Sequence, residues 1–276
     1  KRQMIDRRSL LLAGGGFVSL AALGGCVART PLSGGREMTV VTFNIWHDAG
    51  DWAARLPLLV DALRRSDADV IALQEVLEDD ARGLANQADT IAAMLDGYSV
   101  HFYSFDPPGA AKRYGNAILT RLPVLEETGR RLDPRSDYRT ALRLRLSLTG
   151  RPVDVVVTHL ASQSDAGAVR RRQIDDLLAW VPRDGTPLVV AGDFNAEPAD
   201  PKLAPMAPPR FVSALPANAV TTTLNPAGGH SERVIDHIYV ERDRWRVIDV
   251  SRIGDMAADG EYPSDHFGVS ATIRLV

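Results

Sequence analysis

Residues 192–195 carry the pair of side chains on which the chemistry of this chain centres. Asp193 offers a carboxylate that accepts a proton, and Asn195 offers an amide that both donates and accepts hydrogen bonds. Together the two groups are suited to holding a water molecule and a phosphoryl oxygen. The same spacing is typical of an Asx turn that closes a strand, and these four residues alone leave that alternative open.

The residues before Asp193 predict the element that positions it. Residues 188–191 form a short apolar run with two valines, and Gly192 stops it, which is typical of a buried strand. The carboxyl ends of such strands are where α/β proteins place their sites. Five further elements of this chain begin or end in polar residues of catalytic type, namely Asn44, Glu75, His159, Asp236 and the pair Asp265–His266.

Each of these residues alone has an ordinary structural explanation. A single histidine at a strand end is usually a hydrogen-bonded structural residue, and a single glutamate there is usually a solvated cap. The recurrence of such groups at six elements instead indicates a site. Oxygen-rich ligands without a Cys/His cluster favour a hard cation, Mg²⁺ or Mn²⁺, over structural zinc.

The elements around these residues predict a layered α/β domain. Apolar residues at helical spacing predict helices over 55–66, near 80–95 and over 166–181. Strands and helices alternate and are followed by adjacent strands, which favours two packed sheets with helices outside. Residues 170–172, three arginines, are expected on a solvated helix face rather than in a phosphate clamp. The alternating Leu and Arg of residues 141–148 predict a strand with one wet face.

Composition limits the class of protein. The chain has 276 residues, of which 45% are hydrophobic, as expected for one large or two small domains with an ordinary core, and no internal boundary is evident. Lys+Arg 32 against Asp+Glu 35 gives a net charge of -3; without residues 1–25 the balance is 28 against 34, or -6. This acidic balance disfavours a high-affinity DNA binder but leaves a weak, fast nuclease open.

The amino-terminal residues predict a targeting signal. Arg7 and Arg8 precede an apolar stretch that is too short and too glycine-rich to span a membrane, so we expect residues 1–25 to be a signal peptide. The arginine pair resembles a bacterial twin-arginine (Tat) signal. The chain is therefore expected to be exported to the periplasmic or cell-surface side.

Cys26, the only cysteine, follows Leu23-Gly24-Gly25, and this tetrapeptide resembles a lipobox. We expect a lipid anchor at Cys26, which would make the protein a membrane-anchored lipoprotein; the alternative is a buried or incidental cysteine. Residues 26–37, with Pro31 and Gly34, are then expected to form a tether. A single cysteine excludes an intrachain disulfide framework.

Seven motifs, in order, resemble those of the endonuclease/exonuclease/phosphatase superfamily. They are Thr42-Phe-Asn44, Leu73-Gln-Glu75, Gly115-Asn-Ala-Ile-Leu-Thr-Arg121, Thr158-His-Leu160, Gly192-Asp-Phe-Asn195, Ile235-Asp236 and Ser264-Asp-His266. The resemblance covers residues 38–276. The family includes pancreatic-type DNases, AP endonucleases, neutral sphingomyelinases and inositol-polyphosphate phosphatases. It implies a four-layer α/β/β/α sandwich of two mixed sheets with outer helices and a site at one end of the sheets.

The resemblance also implies a metal site and a catalytic histidine. Glu75 matches the principal metal ligand, with Asn44 and Asp265 beside the metal. His266 matches the catalytic histidine, oriented by Asp236.

The remaining matched residues have implied roles in hydrolysis. Asp193 would align or deprotonate the attacking water, and Asn195 would hold the phosphate. His159 resembles the second histidine of the DNase and sphingomyelinase branches. By position relative to the strands, Tyr114, Asn116 and Arg139 are candidates for the phosphate pocket, although packing or surface contacts would explain them equally well.

These expectations describe an extracytoplasmic phosphodiesterase that uses Mg²⁺ or Mn²⁺ and in-line attack by an activated water. The expected substrates are nucleic acid or a phospholipid headgroup, and no obligate protein partner is evident. A phosphomonoesterase on the same scaffold and a catalytically inactive surface binding module are the alternatives. Loops at 47–54, 99–113 and 198–233 are expected to determine the substrate.

Overall fold

The structure is a computed structural model that describes residues 36–276. The predicted signal peptide, Cys26 and the predicted tether up to residue 35 lie outside these residues. Within residues 36–276, every helix is too short or too polar to cross a lipid bilayer.

Twelve strands and three α-helices make up the described part of the chain. The strands are β1 (Glu37–Asn44), β2 (Val70–Asp79), β3 (Ser99–Ser104), β4 (Lys112–Thr120), β5 (Val124–Arg131), β6 (Thr140–Leu148), β7 (Arg151–His159), β8 (Leu188–Asp193), β9 (Phe211–Ser213), β10 (Asp236–Glu241), β11 (Trp245–Ile253) and β12 (Gly268–Leu275). The helices are α1 (Trp52–Ser66), α2 (Gln87–Ala93) and α3 (Gly167–Trp180).

The strands form two six-stranded sheets, and each has a parallel pair of strands in its middle. The first sheet has the order β11-β12-β1-β2-β4-β3 and the second has the order β5-β6-β7-β8-β10-β9. Each sheet contains one parallel pair, β1 with β2 and β7 with β8, and the chain crosses between the strands of each pair through α1 or α3. The other neighbours are antiparallel, so both sheets are mixed.

Three apolar interfaces hold four layers together. The largest lies between the sheets and includes Leu144, Val155 and Ile273, all fully buried. A second joins α1 and α2 to the outer face of the first sheet, and a third joins α3 to the outer face of the second. Full burial of each such side chain stabilises the fold by roughly 1.5–3 kcal/mol. The predicted α/β/β/α sandwich of two mixed sheets with outer helices is confirmed.

The structure differs from the local predictions at three places along these elements. The helix expected near 80–95 is the shorter α2, preceded by a single 3₁₀ turn at Asp80–Arg82. Part of the loop expected at 99–113 is the edge strand β3, and β5 is a second edge strand that was not predicted. Both edge strands are largely polar, because only one side of each pairs with a neighbour and little of their surface enters the core.

The arginine face of β6 is not wet. Arg143 is buried; its Nη1 lies 3.0 Å from Asp154 Oδ1, and it also pairs with Glu126. Arg145 donates to both oxygens of Asp154 at 2.9 Å and pairs with Asp184 at 2.8 Å. In these five residues, here called the arginine cluster, each arginine pairs with two carboxylates, which allows the two positive charges to lie on a covered sheet face.

Candidate active site

Asp193 lies at the end of β8, where a glycine brings β7 unusually close. Gly192 has φ +156°, and a Cβ there would lie 2.0 Å from the carbonyl oxygen of Thr158. Only glycine permits this approach. Asp193 Oδ1 accepts the backbone N–H of Asn195 at 2.9 Å, so the Asx turn is present. The turn occupies one carboxylate oxygen and leaves Oδ2 for other contacts.

Asp193 Oδ2 is the meeting point of three side chains from both sheets. It accepts from Asn44 Nδ2 at 3.1 Å, and it lies 3.4 Å from His159 Nε2 and 3.8 Å from His266 Nε2. The carboxylate is buried. Burial, and then the nearby charge of Asp236, raise the pKa of Asp193 to about 7, within the range of a proton acceptor that works near neutral pH.

His266 and Asp236 form a buried carboxylate–imidazole pair. Asp236 opens β10 directly opposite Asp193 in the ladder, and its Oδ2 lies 2.9 Å from His266 Nδ1. Burial alone would lower the pKa of His266, but the charge and hydrogen bond of Asp236 raise it to about 10. The ring is therefore charged at neutral pH, while Asp236 Oδ1 is buried without a hydrogen-bond partner among the described residues.

His159, at the end of β7, has the opposite charge state. It is buried, and burial, followed by the charges of Arg139 and His266, lowers its pKa well below the usual value. The ring is neutral, and its Nδ1 has no hydrogen-bond partner in the described part of the chain. Asp193 thus lies between one charged and one neutral imidazole.

Glu75 leaves its sheet through a bulge rather than at a strand end. We expected the second strand to stop at Leu73, but β2 resumes and continues to Asp79, with a shift of register between Leu73 and Val76. Glu75 has φ +60°, a left-handed conformation that costs a non-glycine residue roughly 1–3 kcal/mol. The strained backbone directs its carboxylate to Asn44, whose Nδ2 donates to Oε1 at 3.1 Å.

The loop before β12 brings Asp265 to the end of β1. Ser264 Oγ donates to the carbonyl oxygen of Asn44 at 2.7 Å, which fixes this loop to the end of β1. Asp265 Oδ2 lies 3.1 Å from Nε2 of His230, a residue of the long segment before β10. Neither Ser264 nor His230 was predicted from the sequence as a contributor.

The donor set of Glu75 and Asp265 fits a divalent cation. Across residues 36–276, neither carboxylate has a Lys or Arg nitrogen within 4.0 Å; histidines contact them instead, with His47 Nε2 at 4.0 Å from Glu75 and His230 beside Asp265. Two carboxylates without a paired Lys or Arg, beside the amide of Asn44, provide the hard oxygen donors that Mg²⁺ and Mn²⁺ prefer.

A second cluster of side chains of types that bind metals is better explained as a hydrogen-bonded cluster than as a metal site. Asp193, Asp236 and His266 lie with one ligand atom each within 4.8 Å of one another. His266 contacts Asp236 through Nδ1, and its charged ring carries a proton on each nitrogen, so it offers no lone pair to a metal. Glu75 and Asp265 are therefore the better candidate ligands for a cation.

Of the candidate phosphate-binding residues, Tyr114, Asn116 and Arg139 line a small cavity beside His159, and Asn195 does not. Asn195 donates through Nδ2 to the carbonyl oxygen of Leu160 at 3.1 Å, which leaves one amide N–H and its oxygen for a ligand. Asn116 and Arg139, both buried, line the cavity together with His159. Asn116 Oδ1 and Arg139 Nε have no hydrogen-bond partner among the described residues, so polar capacity remains beside the catalytic carboxylate.

A buried arginine that we did not predict fixes the loops on the metal side. Arg55, in the first turn of α1, is fully buried between the rings of Trp46 and Trp52, at 5.0 and 5.4 Å. Its guanidinium donates to five backbone carbonyls, those of Ile45, Trp46, His47, Ala49 and Pro263. The arginine thereby joins the loop after β1 to the loop before Ser264. The sequence signal for this role was the position of an arginine on the apolar face of the helix, one turn before Leu59.

A second buried helix arginine binds loop carbonyls beside the second sheet. Arg170 of α3 is buried and donates through Nη1 to the carbonyl oxygens of Ala161 and Gln163, each at 2.9 Å. It fixes the loop after β7, as Arg55 fixes the loop after β1. The predicted solvated face was therefore wrong for Arg170, although Arg171 and Arg172 are exposed.

Comparison with known proteins places these residues in a family context. The model of the Endonuclease/Exonuclease/phosphatase family matches residues 41–266. YbhP of Escherichia coli (strain K12) is 32% identical over 154 residues, which are 51% of this chain and 58% of YbhP. The match thus spans little more than half the length of this relative.

Solved structures share the fold. The human Nocturnin catalytic domain with bound sulfate superposes with a TM-score of 0.69 at 23% identity, covering 87% of this chain and 95% of that chain. TDP2 of D. rerio, complexed with a single-strand DNA product, superposes with a TM-score of 0.70 at 19% identity, covering 86% and 99%. At these sequence identities, the comparison shows a shared fold and nothing more.

Proposed function

Because this chain belongs to the Endonuclease/Exonuclease/phosphatase family, we propose that it is a hydrolase that cleaves phosphodiester bonds with the help of Mg²⁺ or Mn²⁺. One observation carries the proposal. A buried carboxylate oxygen, Asp193 Oδ2, faces a charged imidazole, a neutral imidazole and the amide of Asn44. This combination serves a reaction in which a water loses a proton while negative charge grows on a nearby oxygen.

Each side chain has a defined part in that reaction. Asp193, with a pKa near neutrality, takes the proton from the water that attacks the phosphorus in line with the leaving oxygen. The charged ring of His266, held by Asp236, stabilises the negative charge of the phosphoryl group in the transition state. Asn195 has an amide N–H available to hold a phosphoryl oxygen. Removal of one such electrostatic partner typically costs about 100–1000-fold in rate.

Glu75 and Asp265 would hold the cation, with Asn44 beside them. When bound, the cation neutralises charge on the phosphoryl oxygens and polarises the bond to the leaving group. The strained backbone of Glu75 supports this role, because strain is retained where a side chain must be held in one direction. Nucleic acid and phospholipid headgroups are the substrate classes that contain such diesters.

Replacing Glu75 with Gln tests the metal site. The change keeps the size of the side chain but removes the charge that offsets the cation, so affinity for Mg²⁺ and the rate of hydrolysis should fall together. Isothermal titration with Mg²⁺ and Mn²⁺ and hydrolysis of bis(p-nitrophenyl) phosphate, with and without EDTA, measure the two effects; excess Mn²⁺ should partly restore the rate.

Glu78→Gln is the matched control. Glu78 lies three residues further along β2 and pairs with Arg113 at 3.0 Å, so the same chemical change there should leave both quantities unaltered. Equal Mg²⁺ affinity in wild type and Glu75→Gln, with undiminished EDTA-sensitive hydrolysis, would remove Glu75 from the site. Faster cleavage of p-nitrophenyl phosphate than of the diester would identify a phosphomonoesterase, and no cleavage of either would identify a binding module.

We also propose that the protein is exported and anchored to a membrane by lipid at Cys26. The support is the order of residues in the sequence: Arg7 and Arg8, an apolar stretch, and a lipobox-like tetrapeptide that ends at Cys26. Mass spectrometry of the mature protein should find a lipidated Cys26 as its first residue. A free Cys26 thiol on an uncleaved chain would contradict the anchor.

A further inference from the structure

A second, larger cavity opens beside the catalytic residues. It has a volume of about 480 Å³ and is lined by four aromatic rings, those of His47, Phe105, Tyr114 and Tyr138. We call it the aromatic pocket. Its size is that of a site for a small organic group rather than for a water or a lone phosphate.

The aromatic pocket adjoins both parts of the proposed active site. His47, on its wall, has Nε2 4.0 Å from Glu75 Oε2. Tyr114 and Tyr138 line both this pocket and the small cavity beside His159. A phosphate held at the catalytic residues would therefore direct the next group of its substrate into the aromatic pocket.

The rings of the pocket present faces to a ligand. His47 and Tyr114 pack edge to face at 6.2 Å, and Tyr114 and Tyr138 do so at 6.1 Å. The guanidinium of Arg139 lies over the Tyr138 ring, 4.8 Å from its centroid, but Tyr138 is 48% exposed and part of the ring stays open to the pocket. Supported, exposed rings of this kind are platforms on which planar groups stack.

The polar side chains of the pocket balance one another in charge. Arg82 pairs with Asp48. Lys112 Nζ lies 3.8 Å from Asp79, and Asp106 Oδ2 accepts the backbone N–H of Tyr114 at 3.2 Å. Two cations and two carboxylates thus line the walls, which supply hydrogen-bond donors and acceptors without a net charge.

The balance of charges on the walls distinguishes among three possible ligands of the aromatic pocket. A quaternary ammonium headgroup is best held by aromatic rings without competing cations, and here Arg82 and Lys112 already pair with the nearby carboxylates Asp48 and Asp79. A second phosphate would require cations free of carboxylate partners. A nucleobase has a flat ring for stacking and an edge with both donors and acceptors, and it fits the rings and the balanced walls together.

We propose that the aromatic pocket binds the nucleobase of a nucleotide whose phosphate lies at Asp193 and His266, so that the substrate is a nucleic acid or nucleotide diester rather than a phospholipid. The inference rests on the proposed function for the position of the phosphate.

The test measures nucleobase binding directly. Thymidine 5′-monophosphate, 2-deoxyribose 5-phosphate and phosphocholine are titrated into the protein with Mg²⁺ present. Stacking on aromatic rings should make thymidine 5′-monophosphate bind on the order of 10-fold or more tightly than the sugar phosphate, with phosphocholine no tighter than the sugar phosphate.

Variants of the half-exposed tyrosine assign the preference to the pocket. Tyr138→Ala should bring the affinity for thymidine 5′-monophosphate close to that for the sugar phosphate, whereas Tyr138→Phe keeps the ring and should retain most of the preference. Leu125→Ala removes a similarly exposed apolar side chain from β5, and it should behave as wild type. Circular dichroism checks that each variant is folded.

Parallel hydrolysis of bis(p-nitrophenyl) phosphate separates this inference from the proposed function. Equal affinity for the nucleotide and the sugar phosphate, an unchanged preference in Tyr138→Ala, or a preference for phosphocholine overturns the nucleobase pocket, even where diester hydrolysis is normal. A preference that depends on Tyr138 without any diester hydrolysis supports the pocket and overturns the proposed function instead.

Discussion

Two groups of buried charges lie in the second sheet and are built differently. In the arginine cluster, Asp154 receives hydrogen bonds on both oxygens and each arginine has at least two carboxylate partners. In the catalytic group, Asp236 Oδ1 has no partner among the described residues, and Asp193 Oδ2 faces two imidazoles without a short hydrogen bond to either.

The difference separates a structural set of charges from a reactive one. A buried charge costs several kcal/mol unless it is compensated, and the arginine cluster compensates its charges within the protein. The proposed catalytic group leaves part of its hydrogen-bonding capacity unused. This is expected where a bound substrate and a cation supply the missing partners. Both groups contain buried charge, and the buried atom of Asp236 that is unpaired within the described part of the chain distinguishes the second from the first.

The largest expected effect is that of Asp236→Asn on catalysis. The amide no longer stabilises a charged His266 and can favour the wrong ring orientation, so turnover should fall on the order of 10⁴-fold, as for the carboxylate that orients the histidine of a Ser-His-Asp triad. The melting temperature should change little, because His266 can become neutral and still donate from Nδ1 to the amide oxygen. Steady-state kinetics and thermal unfolding measure the two. Near-normal turnover in folded Asp236→Asn would contradict the role of Asp236.

The opposite pattern is expected for Asp154→Asn. Arg143 and Arg145 would lose a shared partner, but Glu126 still pairs with Arg143. The free energy of unfolding should thus drop by about 2–3 kcal/mol, less than the ~3–5 kcal/mol typical of a broken buried pair. Urea denaturation measures this loss. The turnover of the folded fraction should equal that of wild type, and a marked fall in turnover would show that the two charge groups are coupled.

A smaller effect is expected at His237, a buried residue next to Asp236 that is packed against Phe194 and Tyr239. Nε2 bonds the carbonyl oxygen of Ala196 at 2.9 Å, and burial lowers the pKa of the ring although the charge of Asp236 opposes this. Because the folded pKa lies below the unfolded value, stability is fully present above about pH 6.5 and is lost as pH falls below it.

His237→Gln should weaken this pH dependence. Glutamine keeps an N–H donor for Ala196 but does not titrate, and each such histidine contributes at most about 1.4 kcal/mol per pH unit. Unfolding free energies at pH 7.5 and pH 5.5 provide the measurement. Some dependence should remain, because the pKa of His159 is also lowered by burial. Identical slopes in the two proteins would show that His237 takes no part.

The sequence predicted those parts of the site that local patterns determine. Asn44, His159 and Asp193 each close an apolar run, and Asp236 opens one, so strand periodicity alone located them. Their convergence followed from the two parallel pairs, whose carboxyl ends meet at Asn44 and Asp193.

Other parts depend on contacts between distant segments. Glu75 lies in a bulge whose partner strand, β4, is more than thirty residues away, and no local pattern signals that β2 resumes. The polar edge strand β5 follows from pairing with β6 rather than from an apolar run. Arg55 resembled an ordinary helix residue, because its five carbonyl acceptors appear only once both loops are in place.

The clamp around Arg55 has a consequence for when activity can arise. Its guanidinium joins Ile45 to Pro263, and Ser264 bonds Asn44 across 220 residues, while β1 pairs directly with β12. During synthesis, a nascent chain that has made every strand through β10 still lacks Asp265, His266 and the strand that holds them. The proposed site is therefore complete only after β12 has been made and has paired with β1, so an emerging chain lacks part of the site while it is being synthesised.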